Sequence, residues 1–255
     1  MKRRDLITAA AALSVPAAGA PMKNAIFELR YYRMRNSGQI QRTTDYLGRI
    51  YLPAAQRAGA GPMGFFNNLV AEQGPFILSL TSYPGIAALE AALDKMGQDK
   101  EFQKGADEYN SMMELSYIRM ENSVLRAFDS IPNIEVPPGD SKRAPRIFEL
   151  RTYESNNVKA SKRKIKMFDE AEIKIFRRCG MLPVFFGETL VGRNLPNLTY
   201  MLAYDDLAAR DKVWKTFAAD PEWQKLRATP GLTDPEIVSN ISNSILRPMP
   251  FSPIR

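Results

Sequence analysis

The chain has 255 residues, 45% hydrophobic and 25% charged, with a formal net charge of +7. That balance excludes a disordered or collagen-like chain, and so modest a positive charge is weak evidence for a nucleic-acid partner. Histidine is absent and Cys179 is the lone cysteine. This excludes an intrachain disulfide, His-activated nucleophiles, most zinc and non-haem iron sites and the usual proximal haem ligand. No cofactor and no metal are therefore expected.

Residues 1–20 read as a secretory leader. Lys2, Arg3 and Arg4 form a basic head, Leu6 to Val15 an Ala-rich apolar run, and Ala17 to Ala20 a stretch of small residues. Arg3-Arg4 followed by Asp5-Leu6-Ile7 resembles the twin-arginine export motif. The run is too short to span a bilayer, so the expectation is an exported, periplasmic protein.

Residues 25–33 alternate strictly, with Phe27, Leu29 and Tyr31 on one side and Glu28, Arg30 and Tyr32 on the other, which predicts a strand. A helical stripe follows over 39–58, with Pro53 as a candidate kink and Gly59 to Pro62 as its stop. Strands 63–71 and 76–83 form a hairpin around Gln73-Gly74-Pro75, helices cover 86–96 and 100–113, and a last strand runs over 117–128.

The pattern then starts again. Ile26-Phe27-Glu28-Leu29-Arg30-Tyr31-Tyr32 returns as Ile147-Phe148-Glu149-Leu150-Arg151-Thr152-Tyr153, an offset of 121 residues. Phe65-Phe66 returns as Phe185-Phe186, and Asn122-Ser123-Val124-Leu125-Arg126 as Asn243-Ser244-Ile245-Leu246-Arg247. So long a period makes each copy a domain. The expected division is a leader at 1–20, a first domain at 22–130, a Pro-rich linker at 131–145 and a second domain at 146–255. In the second copy the strands are expected at 146–153, 184–192, 198–204 and 237–247, and the helices at 158–179, 207–219 and 221–227.

Strand, helix, hairpin, helix, strand is the split βαβ order of ferredoxin-like domains. The fold class is therefore α+β, with two tandem ferredoxin-like domains facing each other as a pseudo-dimer within one chain.

The Phe-Glu-Leu-Arg-x-Tyr strand of both copies resembles the NIPSNAP family, as do Gly187, the strand 198–204, and the run Arg210, Trp214, Phe217, Asp220-Pro221 and Trp223. The first copy departs from that pattern, with Gly85-Ile86-Ala87-Ala88 at its helix start and Asp99-Lys100-Glu101-Phe102 in place of Asp-Pro-x-Trp. The resemblance implies a dimeric α/β barrel and carries no defined reaction.

Alternation suggests that Phe27 and Leu29 face the helices, leaving Glu28, Arg30 and Tyr32, with Glu149, Arg151 and Tyr153, to face the barrel interior. These six are the candidate ligand-binding residues. Arg would hold an anion and Tyr would offer a hydroxyl; alternatively the ladder is a mutually satisfied cement between sheets. Phe65, Phe66, Phe185, Phe186, Tyr200 and Tyr204 read as sheet core or pocket lining, Trp214, Phe217 and Trp223 as core, and Cys179 as an inert buried thiol on a helical stripe. The cluster Lys159, Lys162, Arg163, Lys164 and Lys166 is a solvated face or a contact for an anionic membrane surface. The functional readings are an exported protein binding a small anionic or aromatic ligand in the barrel, a cofactor-independent oxygenase or isomerase of the same fold, or an envelope-associated scaffold. Nucleic acid is not an expected partner.

Overall fold

The computed structural model of the chain describes residues 24–111, 115–139 and 143–255; the leader expected at 1–20 lies outside them. The first copy runs β1 (Ile26–Arg33), α1 (Ser37–Tyr46), a π-helical turn (Leu47–Tyr51), α2 (Leu52–Ala58), β2 (Met63–Val70), β3 (Phe76–Tyr83), α3 (Ile86–Gln98), α4 (Lys100–Asn110) and β4 (Arg119–Ala127). The second runs β5 (Ile147–Glu154), α5 (Val158–Met167), a π-helical turn (Phe168–Glu172), α6 (Ile173–Arg178), β6 (Leu182–Val191), β7 (Asn197–Tyr204), α7 (Leu207–Ala219), α8 (Pro221–Arg227), α9 (Asp234–Ile237) and β8 (Asn240–Pro248).

Each copy pairs its strands in the antiparallel order β4-β1-β3-β2 or β8-β5-β7-β6. Neither sheet has a free edge, because β2 pairs with β8 and β6 with β4, both antiparallel, and the eight strands close into one barrel. Closure removes the unpaired backbone groups that open sheets leave at their edges. At the β6–β4 seam, a Cβ on Gly187 would stand 2.9 Å from that of Leu125, so glycine lets the two sheets approach.

The helix covering each sheet is interrupted at the same place. In the first copy Pro53 lies at the start of α2, which runs on from the π turn through the Leu52 N–H bonded to the Leu47 carbonyl. The second copy makes the same π turn with no proline in it, so Pro53 does not cause the irregularity.

The chain ends of the two copies cross over. After β4, Phe128 and Ile131 are buried in the core beneath the second copy's helices, and Phe128 N–H donates to the Phe186 carbonyl at 3.0 Å. After β8, Met249 joins the core beneath the first copy's helices, and its N–H donates to the Phe65 carbonyl at 2.8 Å. Phe251 lies with its ring against Gly48, where an added Cβ would come within 2.9 Å of it. The Pro-rich segment expected to be a linker is pinned in place. Ala25 N–H donates to the Pro132 carbonyl, Glu135 N–H to that of Val184, and Ile134 is buried in the barrel.

Candidate functional site

The strands have two faces, and the sequence-based expectation assigned them the wrong way round. Phe27, Leu29, Phe148 and Leu150 point into the barrel, where they pack with Phe66, Leu78, Leu80, Leu125, Phe185, Met201 and Leu246 from both copies. Glu28, Arg30, Tyr32, Glu149, Arg151 and Tyr153 lie on the outer face, beneath the helices. Alternation separates two faces without saying which is inside. The closed barrel needs bulky apolar side chains to fill its axis, each fully buried Phe contributing about 1.5–3 kcal/mol.

Under the helices the Glu-Arg-Tyr ladder is largely satisfied. Glu149 accepts from Arg151 (2.9 Å), Arg210 (2.7 and 2.9 Å), the Trp214 indole N–H (2.8 Å) and Asn243 (2.6 Å). Arg210 and Trp214 stand one turn apart on α7, which brings both to the same carboxylate. Burial alone would push the Glu149 carboxyl up; the Arg210 hydrogen bonds and the Arg151 charge override it and hold the group below its ordinary value. The first copy has Leu89 and Leu93 at the positions matching Arg210 and Trp214. There Glu28 accepts from Arg30 (2.5 Å), Asn122 (2.6 Å) and the Tyr83 hydroxyl (3.3 Å). Tyr32 and Tyr153 receive hydrogen bonds from Arg30 and Arg151. The six candidates thus form two like-built polar layers between sheet and helices, outside the barrel interior.

Other sequence-based readings resolve as follows. Phe66 and Phe185 fill the barrel, while Phe65, Phe186, Tyr200 and Tyr204 are core beneath helices. Cys179 is only partly buried at the end of α6, packed against the second copy's core, where a fully buried thiol was expected; burial and then Asp220 push its thiol up. The basic cluster is smaller than it reads. Lys164 is buried and pairs with Glu172 at 2.9 Å, ringed by Tyr153, Phe168 and Trp223. Lys162 pairs with Glu188 and Lys166 with Glu170, and Lys159 and Arg163 remain exposed.

The barrel interior changes character along its axis. From the apolar layer at Phe27 and Phe148, β1, β5, β7 and β8 continue on their inward faces to Tyr31 and Arg33, Thr152, Thr199 and Asn197, and Ser244 and Ser242. The result is a cavity of about 510 Å³ open at the end of the barrel that carries both hairpin tips, within the usual size range of small-molecule sites. Leu29 and Phe76 contribute to its wall, with Glu121 and Ser123 from β4, Thr189 from β6 and Arg193 beyond it.

The two copies furnish different walls. At the 121-residue offset Tyr31 answers to Thr152, Phe76 to Asn197, Leu78 to Thr199 and Glu121 to Ser242. On the first-copy side the Arg33 guanidinium lies over the Tyr31 ring at 4.6 Å and the Phe76 ring at 5.1 Å. Arg33 also donates to Glu121 at 3.1 and 3.3 Å and to the Gln73 carbonyl at 3.0 Å. Arg119 (2.6 Å) and Arg193 (3.4 Å) share the same carboxylate. On the second-copy side Thr152 and Thr199 hydroxyls meet at 2.8 Å, and Thr189 donates to Asn197 at 2.6 Å. The Asn197 amide is held by the carbonyls of Arg193 and Asn194.

Burial pushes the Tyr31 phenol up to about 12. For Glu121, burial pushes upward, but hydrogen bonds from Arg33 and Arg119 prevail and hold it below its ordinary value. At neutral pH the cavity therefore holds a protonated phenol and an ionised carboxylate. The candidate residues chosen from sequence miss this site. Its signal was the inward face of β5, β7 and β8, where Leu150, Met201 and Leu246 give way two residues at a time to Thr and Ser.

Among solved structures the chain is similar to a proposed monooxygenase from Fusobacterium nucleatum subsp. nucleatum ATCC 25586, with 9% identity over 88% of this chain and 92% of that one and a TM-score of 0.57. A second proposed monooxygenase, from Lactobacillus acidophilus NCFM, has 11% identity over 88% and 93% at a TM-score of 0.53. At such identities these likenesses show the barrel fold alone. An uncharacterized NIPSNAP-like domain protein from Burkholderia xenovorans is 26% identical over 42% of this chain and 89% of its own, with a TM-score of 0.38. No curated protein matches the chain. The NIPSNAP family model matches residues 148–253, the copy that carries the Glu149, Arg151, Arg210 and Trp214 cluster, so the second copy is similar to the NIPSNAP family.

Proposed function

We propose that the protein binds a small polar ligand in the open end of its barrel, as a binding protein rather than an acid–base catalyst. The observation that carries this reading is the cavity of about 510 Å³, walled by hydroxyl, amide and guanidinium groups, above an interior otherwise filled by apolar side chains. A scaffold would have no use for a polar hollow within its own core. The oxygenase or isomerase reading asks for a group able to take a proton near neutral pH. Tyr31 is held protonated by burial, and Glu121 is held ionised by its arginines, which makes it a weak base. The leader at 1–20 supports export, so the ligand would be met outside the cytoplasm.

The test is thermal denaturation of the protein against a panel of small carboxylates, sugars and aromatic acids. The inward-facing Ser244→Phe variant fills the cavity. A rise in Tm with at least one panel member, absent in Ser244→Phe, supports the reading; a rise that survives in the filled variant places binding elsewhere and overturns it.

A further inference from the structure

Resting on that reading, we infer that the cavity takes a polyhydroxylated carboxylate, a sugar acid, with its carboxylate at the arginine rim and its hydroxyls along the second-copy wall. The inference stands on the chemical difference between the two walls.

Apart from Arg193 at its rim, the second-copy wall has no charge and no ring. Thr152 and Thr199 share one hydrogen bond between two hydroxyls, which leaves acceptor lone pairs and a rotatable proton to offer a ligand. Among the described residues the hydroxyls of Ser242 and Ser244, which also line the cavity, make no hydrogen bond within the protein. A surface that both donates and accepts matches a row of ligand hydroxyls, each of which does the same. An aromatic hydrocarbon placed there would leave those groups dry and unpaired, a cost that a ligand's own hydroxyls avoid.

The rim supplies the other half of the argument. Three guanidiniums, from Arg33, Arg119 and Arg193, converge on the carboxylate of Glu121, and with Glu72 as the other acid of the lining positive charge is still in excess. Arg33 is fixed by its stack on Tyr31 and by the Gln73 carbonyl. Arg193 is not fixed: its side chain is 66% exposed and reaches Glu121 only at 3.4 Å. Its fork is free to turn onto a second carboxylate at the cavity mouth, and bidentate pairing of that kind favours a carboxylate over a neutral group.

The probes are D-glucuronate, D-glucose and benzoate, measured by saturation-transfer NMR on the full chain. Glucuronate should bind, and glucose should bind at least tenfold more weakly, since one charge-assisted contact is lost. Benzoate should give no signal. Arg193→Gln should weaken glucuronate about tenfold and leave glucose unchanged. Thr152→Val together with Thr199→Val preserves shape and should weaken both sugars. Benzoate binding that Ser244→Phe abolishes would overturn the sugar-acid assignment while leaving the cavity as a ligand site. Glucuronate binding that persists in Ser244→Phe would overturn both. No glucuronate binding to the wild-type protein at tens of millimolar overturns the assignment outright.

Discussion

Glu149 keeps its charge at a depth where an unpartnered carboxylate would be neutral, because Arg151 and Arg210 and the neutral donors Trp214 and Asn243 converge on it. Its folded pKa lies below the ordinary value of 4.5, so its contribution to stability is present above that value and is lost as the pH falls through the folded value. Glu149→Gln leaves two guanidiniums facing each other, and should lose about 3–5 kcal/mol at pH 7 in urea denaturation. The gap between wild type and variant should narrow as the pH drops below 4.5; a constant gap would mean that the carboxylate charge is not what matters. Lys164 and Glu172 are a second buried pair, but there burial outweighs the Lys164 charge and pushes the Glu172 carboxyl up. The first copy has Thr43 and Tyr51 at the matching positions, where Thr43 bonds the Tyr109 hydroxyl at 2.8 Å. The position of Lys164 thus accepts either an ion pair or a hydroxyl pair, with the partner drawn from a different element in each copy. Lys164→Met alone should cost about 3–5 kcal/mol, and adding Glu172→Leu should recover most of that loss in the same denaturation assay. The repeated Glu-Arg-Tyr spacing was plain in the sequence. Its direction was not, because the donors that make an outward Glu149 tolerable sit on α7 and β8, far along the chain.

Element positions were legible to within a few residues, since alternation, helical stripes and Gly or Pro stops act locally. The π turns at Leu47–Tyr51 and Phe168–Glu172 were not, and the proline that seemed to explain one has no counterpart in the other. Nor could local patterns show the crossed chain ends, which depend on where the opposite copy lies. Phe251 rests on Gly48 and meets the Phe65 ring at 5.1 Å, so it joins the end of the second copy to the helices of the first. Phe251→Ala should cost about 3 kcal/mol and, more tellingly, should expose the backbone amides of α1 and α2 to faster hydrogen exchange. Exchange that rises only beside β8 would show that the tail does not hold the first copy.

At the scale of the whole molecule, the internal repeat announced a pseudo-dimer, and the closed eight-stranded barrel is its physical form. Neither sheet could stand alone, because each would expose Phe27 and Leu29, or Phe148 and Leu150, along with two unpaired edges. A chain of residues 143–255 should therefore self-associate, and light scattering should report twice the mass of one copy; a monomer would contradict the barrel seams. The cavity was invisible to strand-by-strand reading because its wall is drawn from both copies. It alone separates a ligand-binding barrel from a filled one. The most direct measurement is ¹³C-methyl NMR of threonine while small ligands are added. Thr152, Thr189 and Thr199 line the cavity, whereas Thr81, paired with Glu28, faces the helices and the Glu-Arg-Tyr layer. Ligand in the barrel shifts the first three methyls together and leaves Thr81 still. A shift confined to Thr81, with the cavity methyls unmoved, would contradict the site.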